Sequence, residues 1–283
     1  MAISVSFINM KGGVGKTTLA MQMAMAADQA DLKVLAIDLD PQSNLSQAIL
    51  GVKQYVKHLD ANKPTVVQIF EGYNSPSAAV PSPSPVTIED VILKNVGPYS
   101  KSTLDLIPSR LELSQTLRNP TGKERRLAKA ISKVASKYHL IIIDCAPTDS
   151  ILTDAAYFAS RYVLIPIKPE FMATIGLPLL ARSLENFKFE NEEHEIDICG
   201  IAFNHSSSYA AGPETRQSVS EVSQFAKSRN WPVYSTHMTY STSYAKAARQ
   251  NTAVGLTSYV RVGTATKFAA LKDEFFSSIG LKA

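Results

Sequence analysis

The most constraining feature of the chain is a glycine-rich turn near its start, with the sequence KGGVGKTT at residues 11–18. It follows an apolar run at residues 3–8 and leads into a helix-favouring stretch at residues 19–27. Glycine lets a backbone pass close to a polyphosphate and point its N–H groups at it, and the N-terminus of the following helix favours anions. This order predicts a phosphate-binding loop, in which Lys16 adds a positive charge and the Thr17 hydroxyl is a ligand for Mg²⁺.

The spacing departs from the common phosphate-loop pattern, because Met10 stands where the first glycine is expected and Lys11 follows it. In this respect the segment resembles the deviant Walker A box of the ParA/MinD family of P-loop ATPases. The resemblance implies ATP and Mg²⁺ as cofactors, with Lys11 and Lys16 as catalytic residues, and it implies that Lys11 reaches across an ATP-bound homodimer to the partner's nucleotide. It assigns ATP binding to Lys11, Gly12, Gly13, Val14, Gly15, Lys16, Thr17 and Thr18.

The pattern of the whole chain predicts an α/β fold with a mostly parallel sheet and helices on both faces, because apolar runs of strand length alternate with helix-period segments. With 283 residues, 45% hydrophobic and 19% charged, we expect a single domain over residues 1–283. A Pro- and Ser-rich segment, 73–85, is predicted to be a surface loop. The predicted strands cover residues 3–8, 34–37, 104–107, 140–143, 162–167, 196–203 and 233–235. The predicted helices cover residues 16–29, 123–136, 150–158, 175–187, 213–227, 244–249 and 264–278.

Charge and cysteine content place few further limits on the chain. Basic residues exceed acidic ones by 29 to 25, a mild bias toward anionic partners. Cys145 and Cys199 lie in or beside apolar runs, as is typical of reduced cysteines in a cytoplasmic protein. The N-terminus lacks the pattern of a secretory signal, and no uncharged apolar run approaches membrane-spanning length. We therefore expect a soluble cytoplasmic protein.

Two aspartates, Asp38 and Asp40, come at the end of the second predicted strand. Ligands of open parallel sheets bind at the carboxyl ends of the strands. The stretch resembles the Walker A′ box of the same family, which implies that Asp40 orients or activates the attacking water and that Asp38 lies in the outer shell of the metal. The alternative is that either carboxylate only caps the next turn, ahead of Pro41 and Gln42.

A third acid, Asp144, ends the apolar run LIIID in the position of a Walker B residue, which would hold Mg²⁺ through water. The family usually continues with two prolines. Here Ala146 replaces the first and Pro147 remains, a change that affects the stiffness of the turn more than the chemistry.

The resemblance continues through residues 152–180 to Asn204, at the end of a predicted strand. Related ATPases often use an asparagine here to read the adenine edge, since an amide both donates and accepts hydrogen bonds. The alternative, that Asn204 only terminates the strand, is equally open. Further along, the family commonly has a proline and an arginine near the base, whereas this chain has Thr239 and Tyr240. Adenine contacts in that loop are therefore undefined.

For function, the resemblance implies an ATPase whose ATP-dependent dimer is released by hydrolysis. Related partition ATPases bind DNA without sequence preference as ATP dimers, and so associate with the nucleoid. They partition or position a plasmid, a chromosome or a large protein assembly, with an adaptor of ParB type or an analogous one that stimulates hydrolysis. The candidate DNA-binding residues are basic positions in the C-terminal half: Arg182, Lys188, Arg216, Lys227, Arg229, Lys246 and Arg249. Each of them alone is also explained as a solvated surface charge.

Two other functions are compatible with such a loop. A MinD-like membrane switch needs a C-terminal amphipathic helix with a basic face, but Asp273 and Glu274 dilute that face here, so no stable membrane association is expected. An iron–sulfur cluster-related ATPase needs thiolates that share a cluster, but the two cysteines are 54 residues apart without a C-x-x-C pair. Four apolar residues of the tail form a stripe that we expect to face the core: Phe268, Leu271, Phe275 and Phe276.

Overall fold

The computed structural model describes residues 2–71, 86–205 and 212–282, so the predicted loop 73–85 lies outside the described residues. Within these ranges one sheet is formed, in which every pair of neighbouring strands is parallel. Its strands are β1 (Ile3–Phe7), β2 (Val34–Leu39), β3 (Leu104–Ile107), β4 (Leu140–Cys145), β5 (Tyr162–Ile167) and β6 (Asp197–Phe203). Their order across the sheet is β3-β2-β4-β1-β5-β6.

Helices connect the strands and cover the sheet. In chain order they are α1 (Lys16–Gln29), α2 (Asn44–Leu50), α3 (Val52–Asp60), α4 (Val66–Glu71), α5 (Ile88–Val91), α6 (Ser114–Arg118), α7 (Arg126–Ser132), α8 (Ile151–Ala159), α9 (Phe171–Glu190), α10 (Pro213–Ser228), α11 (Thr242–Arg249) and α12 (Val262–Ser278). Short 3₁₀ turns occur at Leu111–Leu113, Ala135–Lys137 and Val254–Leu256.

The sheet lies between two apolar clusters, one on each face. On one face, strand side chains pack with α1, α2, α11 and α12, and on the other face with α4, α5 and α7 to α10. Every residue of β2 and β4 is buried, which is why these strands lack the polar alternation of a half-exposed sheet. The predicted α/β fold with a parallel sheet and helices on both faces is confirmed.

The predicted strand at residues 233–235 is wrong. Val233 forms only an isolated bridge with Ile201. The backbone N–H groups of Ser235 and Thr236 donate instead to the Glu274 carboxylate, at 2.6 and 2.9 Å, so they cannot extend a ladder along β6.

The C-terminal helix α12 packs onto the sheet as its pattern predicts. The stripe of Phe268, Leu271, Phe275 and Phe276 is buried, with exposed fractions of 7%, 0%, 0% and 4%. Its apolar face is thus used inside the protein. In the part of the chain that is described, no helix is both long and apolar enough to cross a bilayer.

The strand order fixes the position of the site. Because β2, β4 and β1 are neighbours, their carboxyl ends bring together the segments that follow them. These are the glycine-rich loop after β1, the Asp38–Asp40 segment at the end of β2 and Asp144 near the end of β4. Residues that are far apart in sequence therefore meet at one edge of the sheet.

Candidate nucleotide-binding site

The glycine-rich loop joins β1 to α1, as the sequence predicts, and two of its glycines have a left-handed backbone. Gly13 has φ 75° and Gly15 has φ 93°, values that side-chain-bearing residues rarely adopt. A Cβ atom added to Gly15 would lie 2.0 Å from Asn204 Nδ2, whereas one added to Gly12 or Gly13 would meet no atom of the described residues within 4 Å. The loop is therefore tightly packed at Gly15 and open around Gly12 and Gly13, where an anion can approach its backbone.

Lys16 begins α1, and its amine lies over the loop. Its Nζ donates to the carbonyl oxygens of Asn9 at 3.0 Å and Lys11 at 3.1 Å, and the residue is 6% exposed. Burial lowers the pKa of Lys16, while the nearby Asp144, Cys145 and Asp40 act in the opposite direction. The hydrogen bonds of this buried amine to described residues go to neutral carbonyls, so the amine is well suited to contact an anionic phosphate group.

Lys11 lies at the rim of this loop and is paired within its own chain. Its Nζ donates to Glu170 Oε2 at 3.0 Å, and its backbone N–H donates to Asn9 Oδ1 at 2.9 Å. The Lys11 side chain is 29% exposed. Its contact with a second copy's nucleotide stays a prediction.

Asp144 is a fully buried carboxylate on β4. Neither of its oxygens has a hydrogen-bond partner among the described residues. Its pKa is raised well above the ordinary value, first by burial and then by Asp38, while the neighbouring Thr17 and Lys16 act in the opposite direction. Buried polar atoms are normally satisfied, so this unpartnered carboxylate is compatible with the predicted cation, bound directly or through water.

Asp38 is buried beside Asp144, its register partner on β4, but its carboxylate is fully occupied. Oδ2 accepts from the Ser46 N–H at 2.7 Å and the Ser46 hydroxyl at 2.6 Å, and Oδ1 accepts from the Asp40 N–H at 3.2 Å. Burial raises the pKa of Asp38 to about 7, against the effect of these hydrogen bonds. Asp38 therefore anchors the start of α2, which is the capping alternative. Its predicted position in the outer metal shell gains no support from these contacts.

Asp40 faces a cleft beside the glycine-rich loop. Its Oδ1 accepts from the Gln42 N–H at 2.9 Å, and the residue is 7% exposed. The cleft has a volume of about 570 Å³, within the range of about 300–1,000 Å³ that is usual for small-molecule sites. Its polar wall contains the predicted residues Gly12, Gly13, Gly15, Lys16, Thr17, Thr18 and Asp40.

Asn204 does not lie open to a base. Its Nδ2 donates to the Val14 carbonyl at 2.9 Å, and its Oδ1 accepts from the His205 N–H at 2.9 Å. With 3% exposure, Asn204 supports the glycine-rich loop from within the protein. Both ends of the amide are thus engaged, and the prediction that Asn204 reads the adenine edge gains no support from its contacts.

The sequence did not single out the apolar wall of the cleft. This wall is formed by Met21 of α1, Ala48 of α2, and Tyr244 and Ala248 of α11. An aromatic ring among small apolar side chains suits the flat face of a base. The sequence predicts a helix at residues 244–249, just after Thr239 and Tyr240, but does not assign this helix to the site. The side chains of the helix match no known motif, so nothing in the sequence indicates their contact with the cleft.

Groups of three or more His, Cys, Asp or Glu side chains that could hold a metal by themselves are not found in the described ranges. Mg²⁺ does not require such a group, because it retains several waters and is completed by substrate phosphates. The two cysteines are buried on β4 and β6, with β1 and β5 between these strands. Burial raises the pKa of the Cys199 thiol to about 12 and that of Cys145 further. They are too far apart to share a cluster within one chain.

The predicted DNA-binding residues do not form one patch. Five of the residues lie on one face of the sheet, in the layer formed by α9 and α10. Arg182 and Lys188 are on α9, Arg216 and Lys227 are on α10, and Arg229 directly follows α10. The remaining two, Lys246 and Arg249, lie on α11 on the opposite face of the sheet. Lys188 pairs with Asp197 at 3.3 Å, and Arg229 pairs with Glu185 at 3.1 Å. The set is therefore divided between two surfaces.

Comparison with known proteins matches residues 2–198 to a family described as AAA domain. The chain is 33% identical over 180 residues to the chromosome partitioning protein ParA of Myxococcus xanthus, covering 64% of this chain and 57% of that protein. It is 31% identical over 206 residues to the chromosome-partitioning ATPase Soj of Treponema pallidum, covering 72% and 71%. The solved structure of a McdA variant from Cyanothece in complex with ATP has the same fold, with a TM-score of 0.80, 19% identity, and coverage of 100% of this chain and 98% of that one.

Proposed function

Because the chain belongs to the ParA-type family of partition ATPases, we propose that it works as an ATP-dependent dimer that binds DNA without sequence preference and partitions or positions a cargo. The cargo would be a plasmid, a chromosome or a large protein assembly, and an adaptor of ParB type or an analogous one would stimulate hydrolysis. The main support for this proposal is that the glycine-rich loop, Asp40 and Asp144 lie together at one edge of the sheet. The Asp144 carboxylate has no hydrogen-bond partner among the described residues.

ATP is the proposed ligand of the cleft. Its triphosphate would lie along the open side of Gly12 and Gly13 and contact the Lys16 amine, while the base would contact the apolar wall that includes Tyr244. The McdA neighbour is described in complex with ATP, which agrees with this assignment. Phosphates at a helix N-terminus gain from the exposed N–H groups and the helix dipole.

Mg²⁺ is the proposed cofactor, and the donor set fits it. Thr17 lines the cleft and would offer its hydroxyl, and Asp144 has a buried carboxylate without a hydrogen-bond partner among the described residues, which would hold the ion through water. When bound, the ion neutralises the charge that develops on the phosphate oxygens. Asp40, at the cleft wall, would orient the attacking water, and Lys16 would stabilise the γ-phosphate.

The rate of hydrolysis would set the lifetime of the ATP-bound dimer. Lys11 would contact the nucleotide of the partner protomer, so the interface gains charge-assisted contacts only when a triphosphate is present. Departure of the γ-phosphate removes those contacts and loosens the dimer. The chemistry then controls how long the dimer stays on DNA, which is what a positioning system requires.

We assign DNA binding to the α11–α12 surface, defined by Lys246, Arg249 and Arg261. The chain has no acidic residue and seven basic ones between Glu221 and Asp273, while the rest has 22 basic and 25 acidic residues. Lys246, Arg249 and Arg261 make no ion pair with any of the described residues, unlike Lys188 and Arg229. Tyr259, 92% exposed with Lys246 Nζ 5.9 Å from its ring centre, adds a hydroxyl suited to phosphate contacts.

A MinD-like membrane role is the weaker candidate, because the apolar side chains that would enter a bilayer are buried in the core. The α11–α12 surface is instead basic, and the same segments of the chain also expose the polar Ser258 and Thr266. On this proposal the ATP dimer would associate with the nucleoid.

The double substitution Lys246→Glu with Arg249→Glu should weaken DNA binding by about 10- to 100-fold at about 50 mM salt, because phosphate contacts dominate non-specific affinity. The slope of log affinity against log salt should become smaller by about 1 for each phosphate that the variant no longer neutralises. Fluorescence anisotropy with labelled duplex DNA and a non-hydrolysable ATP analogue measures both quantities.

The matched control is Lys129→Glu with Lys133→Glu, which makes the same charge change at two exposed positions of the opposite helical layer. It should retain affinity close to that of the unmodified protein. Equally weakened binding in both double variants would mean that only net charge matters and would remove the assignment to the α11–α12 surface. Absence of DNA binding by the unmodified protein with the analogue, together with binding to anionic liposomes, would favour the membrane role.

A further inference from the structure

The predicted cross-dimer lysine is already engaged in the single chain. The Lys11 amine contacts Glu170 Oε2 at 3.0 Å, and the other oxygen, Oε1, contacts the Lys168 amine. Glu170 immediately precedes α9 and follows β5, so it comes from a different element than the glycine-rich loop. Lys11, Glu170 and Lys168 form a half-buried charge triad at the rim of the cleft, with side-chain exposures of 29%, 42% and 37%.

We propose that Glu170 is the resting partner of Lys11 and that the Lys11–Glu170 contact opposes dimerisation until a triphosphate competes for the amine. This inference rests on the proposed ATP dimer and adds a regulatory contact to it. Glu170 is a positioning residue, since it acts through Lys11.

Both positions of Lys11 use the same amine. Its Nζ lies 3.0 Å from Glu170 Oε2 in the single chain, so the triphosphate of a facing chain would have to compete with this carboxylate for the amine. The Lys11 backbone is fixed by its hydrogen bond to the Asn9 side chain, so the exchange requires rotation of the Lys11 side chain alone. Triphosphate carries more negative charge than a carboxylate, so the exchange favours the dimer only when ATP is bound.

The size of the effect follows from the exposure of the pair. Single ion pairs at this degree of exposure contribute little, but a symmetric dimer must break two of them, so the dimerisation constant should change by about 3- to 30-fold. The effect should shrink at high salt, because partly exposed charges are screened.

Loss of Lys168 should have the opposite effect on dimerisation to loss of Glu170. In the triad Glu170 divides its charge between Lys168 and Lys11. Without Lys168, Glu170 would attract Lys11 alone and hold it more strongly. The two neutral substitutions Glu170→Gln and Lys168→Gln should therefore change dimerisation in opposite directions.

The experiment is sedimentation velocity of the full chain with a non-hydrolysable ATP analogue over a range of protein concentrations. Glu170→Gln should dimerise at about 3- to 30-fold lower protein concentration than the unmodified protein, and Lys168→Gln at a higher one. Nucleotide affinity of the monomer, measured at low protein concentration with a fluorescent analogue, should not change in either variant, whereas a general structural defect would alter it.

A double-mutant cycle ties the effect to Lys11. Lys11→Ala should itself remain monomeric, so Lys11→Ala with Glu170→Gln should also remain monomeric, and a recovery of dimerisation in this double variant would show that Glu170 acts without Lys11. Dimerisation of Glu170→Gln that is equal to or weaker than that of the unmodified protein would overturn the inference, and so would a shift of both single variants in the same direction. A failure of the unmodified protein to dimerise would instead overturn the proposed function, so the two failures are distinguishable.

Discussion

Replacing Asp144 with asparagine should abolish ATP hydrolysis and at the same time stabilise the nucleotide-free protein. The carboxylate is fully buried, its two oxygens lack hydrogen-bond partners in the described structure, and Asp38 is its register partner on β2. Thr17 and Lys16 offset the cost of this buried charge only in part, so removing it while keeping the shape of the side chain should raise the free energy of unfolding by about 1–3 kcal/mol. Hydrolysis should fall by at least about 100-fold, because the side chain that would hold Mg²⁺ through water is changed.

The stability gain should depend on pH. The pKa of Asp144 in the folded protein lies above that of the unfolded chain, so the folded state binds the proton more tightly. The stability that this proton contributes is present below the unfolded pKa and disappears as the pH rises toward the folded pKa. The advantage of Asp144→Asn should therefore grow as the pH rises from the unfolded pKa of an aspartate, about 4, toward the raised folded pKa of Asp144.

Chemical denaturation without nucleotide and in the presence of a chelator measures this difference, and phosphate release with Mg²⁺ measures hydrolysis. Asp38→Asn is the matched control, since it removes a neighbouring buried carboxylate that accepts three hydrogen bonds from Ser46 and Asp40. That control should be destabilised. If Asp144→Asn were the less stable protein at about pH 8, the view of Asp144 as a destabilising buried charge would be wrong.

Asp40→Ala should slow ATP hydrolysis without preventing formation of the ATP-bound dimer. Asp40 lines the cleft and has one oxygen committed to the Gln42 N–H, which fixes the carboxylate without filling its acceptor capacity. Removal of a residue that orients or activates water typically costs about 10²- to 10⁴-fold in rate. ATP binding and the ATP dimer should be retained, so the dimer should persist for longer.

Single-turnover hydrolysis gives the rate, and the decay of the dimer after dilution gives its lifetime. Asp60→Ala serves as the control because it removes an exposed aspartate at the end of α3, outside the cleft. Normal hydrolysis by Asp40→Ala, or an inability to bind ATP, would contradict the assigned role.

The features that the sequence predicts well are those that depend on local constraints. The strand, glycine turn and helix around Lys16 were predicted correctly, and α1 has the predicted bounds of 16–29. The turn needs positive φ values at positions 13 and 15, and glycine is the residue that adopts such values without a steric cost. The glycines at these positions therefore indicate the turn directly. The acids at the ends of β2 and β4 were also placed at the correct edge of the sheet, since parallel strands bring their carboxyl ends together.

The features that the sequence could not predict depend on contacts between residues that are far apart in the chain or match no motif. The Asn204 amide donates to the Val14 carbonyl, 190 positions away, a contact that no local pattern in the sequence indicates. Asp38 is occupied by Ser46, a residue without any motif. The short helices α2 to α5 were missed because helices of four to nine residues depend on tertiary packing rather than on a clear apolar period.

The most direct test of the central claim, that Lys11 joins two ATP-bound protomers, is sedimentation velocity of the unmodified protein and of Lys11→Ala with a non-hydrolysable ATP analogue. We expect the unmodified protein to sediment as a dimer and Lys11→Ala to remain a monomer while still binding the analogue. Full dimerisation of Lys11→Ala, at the same protein concentration as the unmodified chain, would contradict the claim.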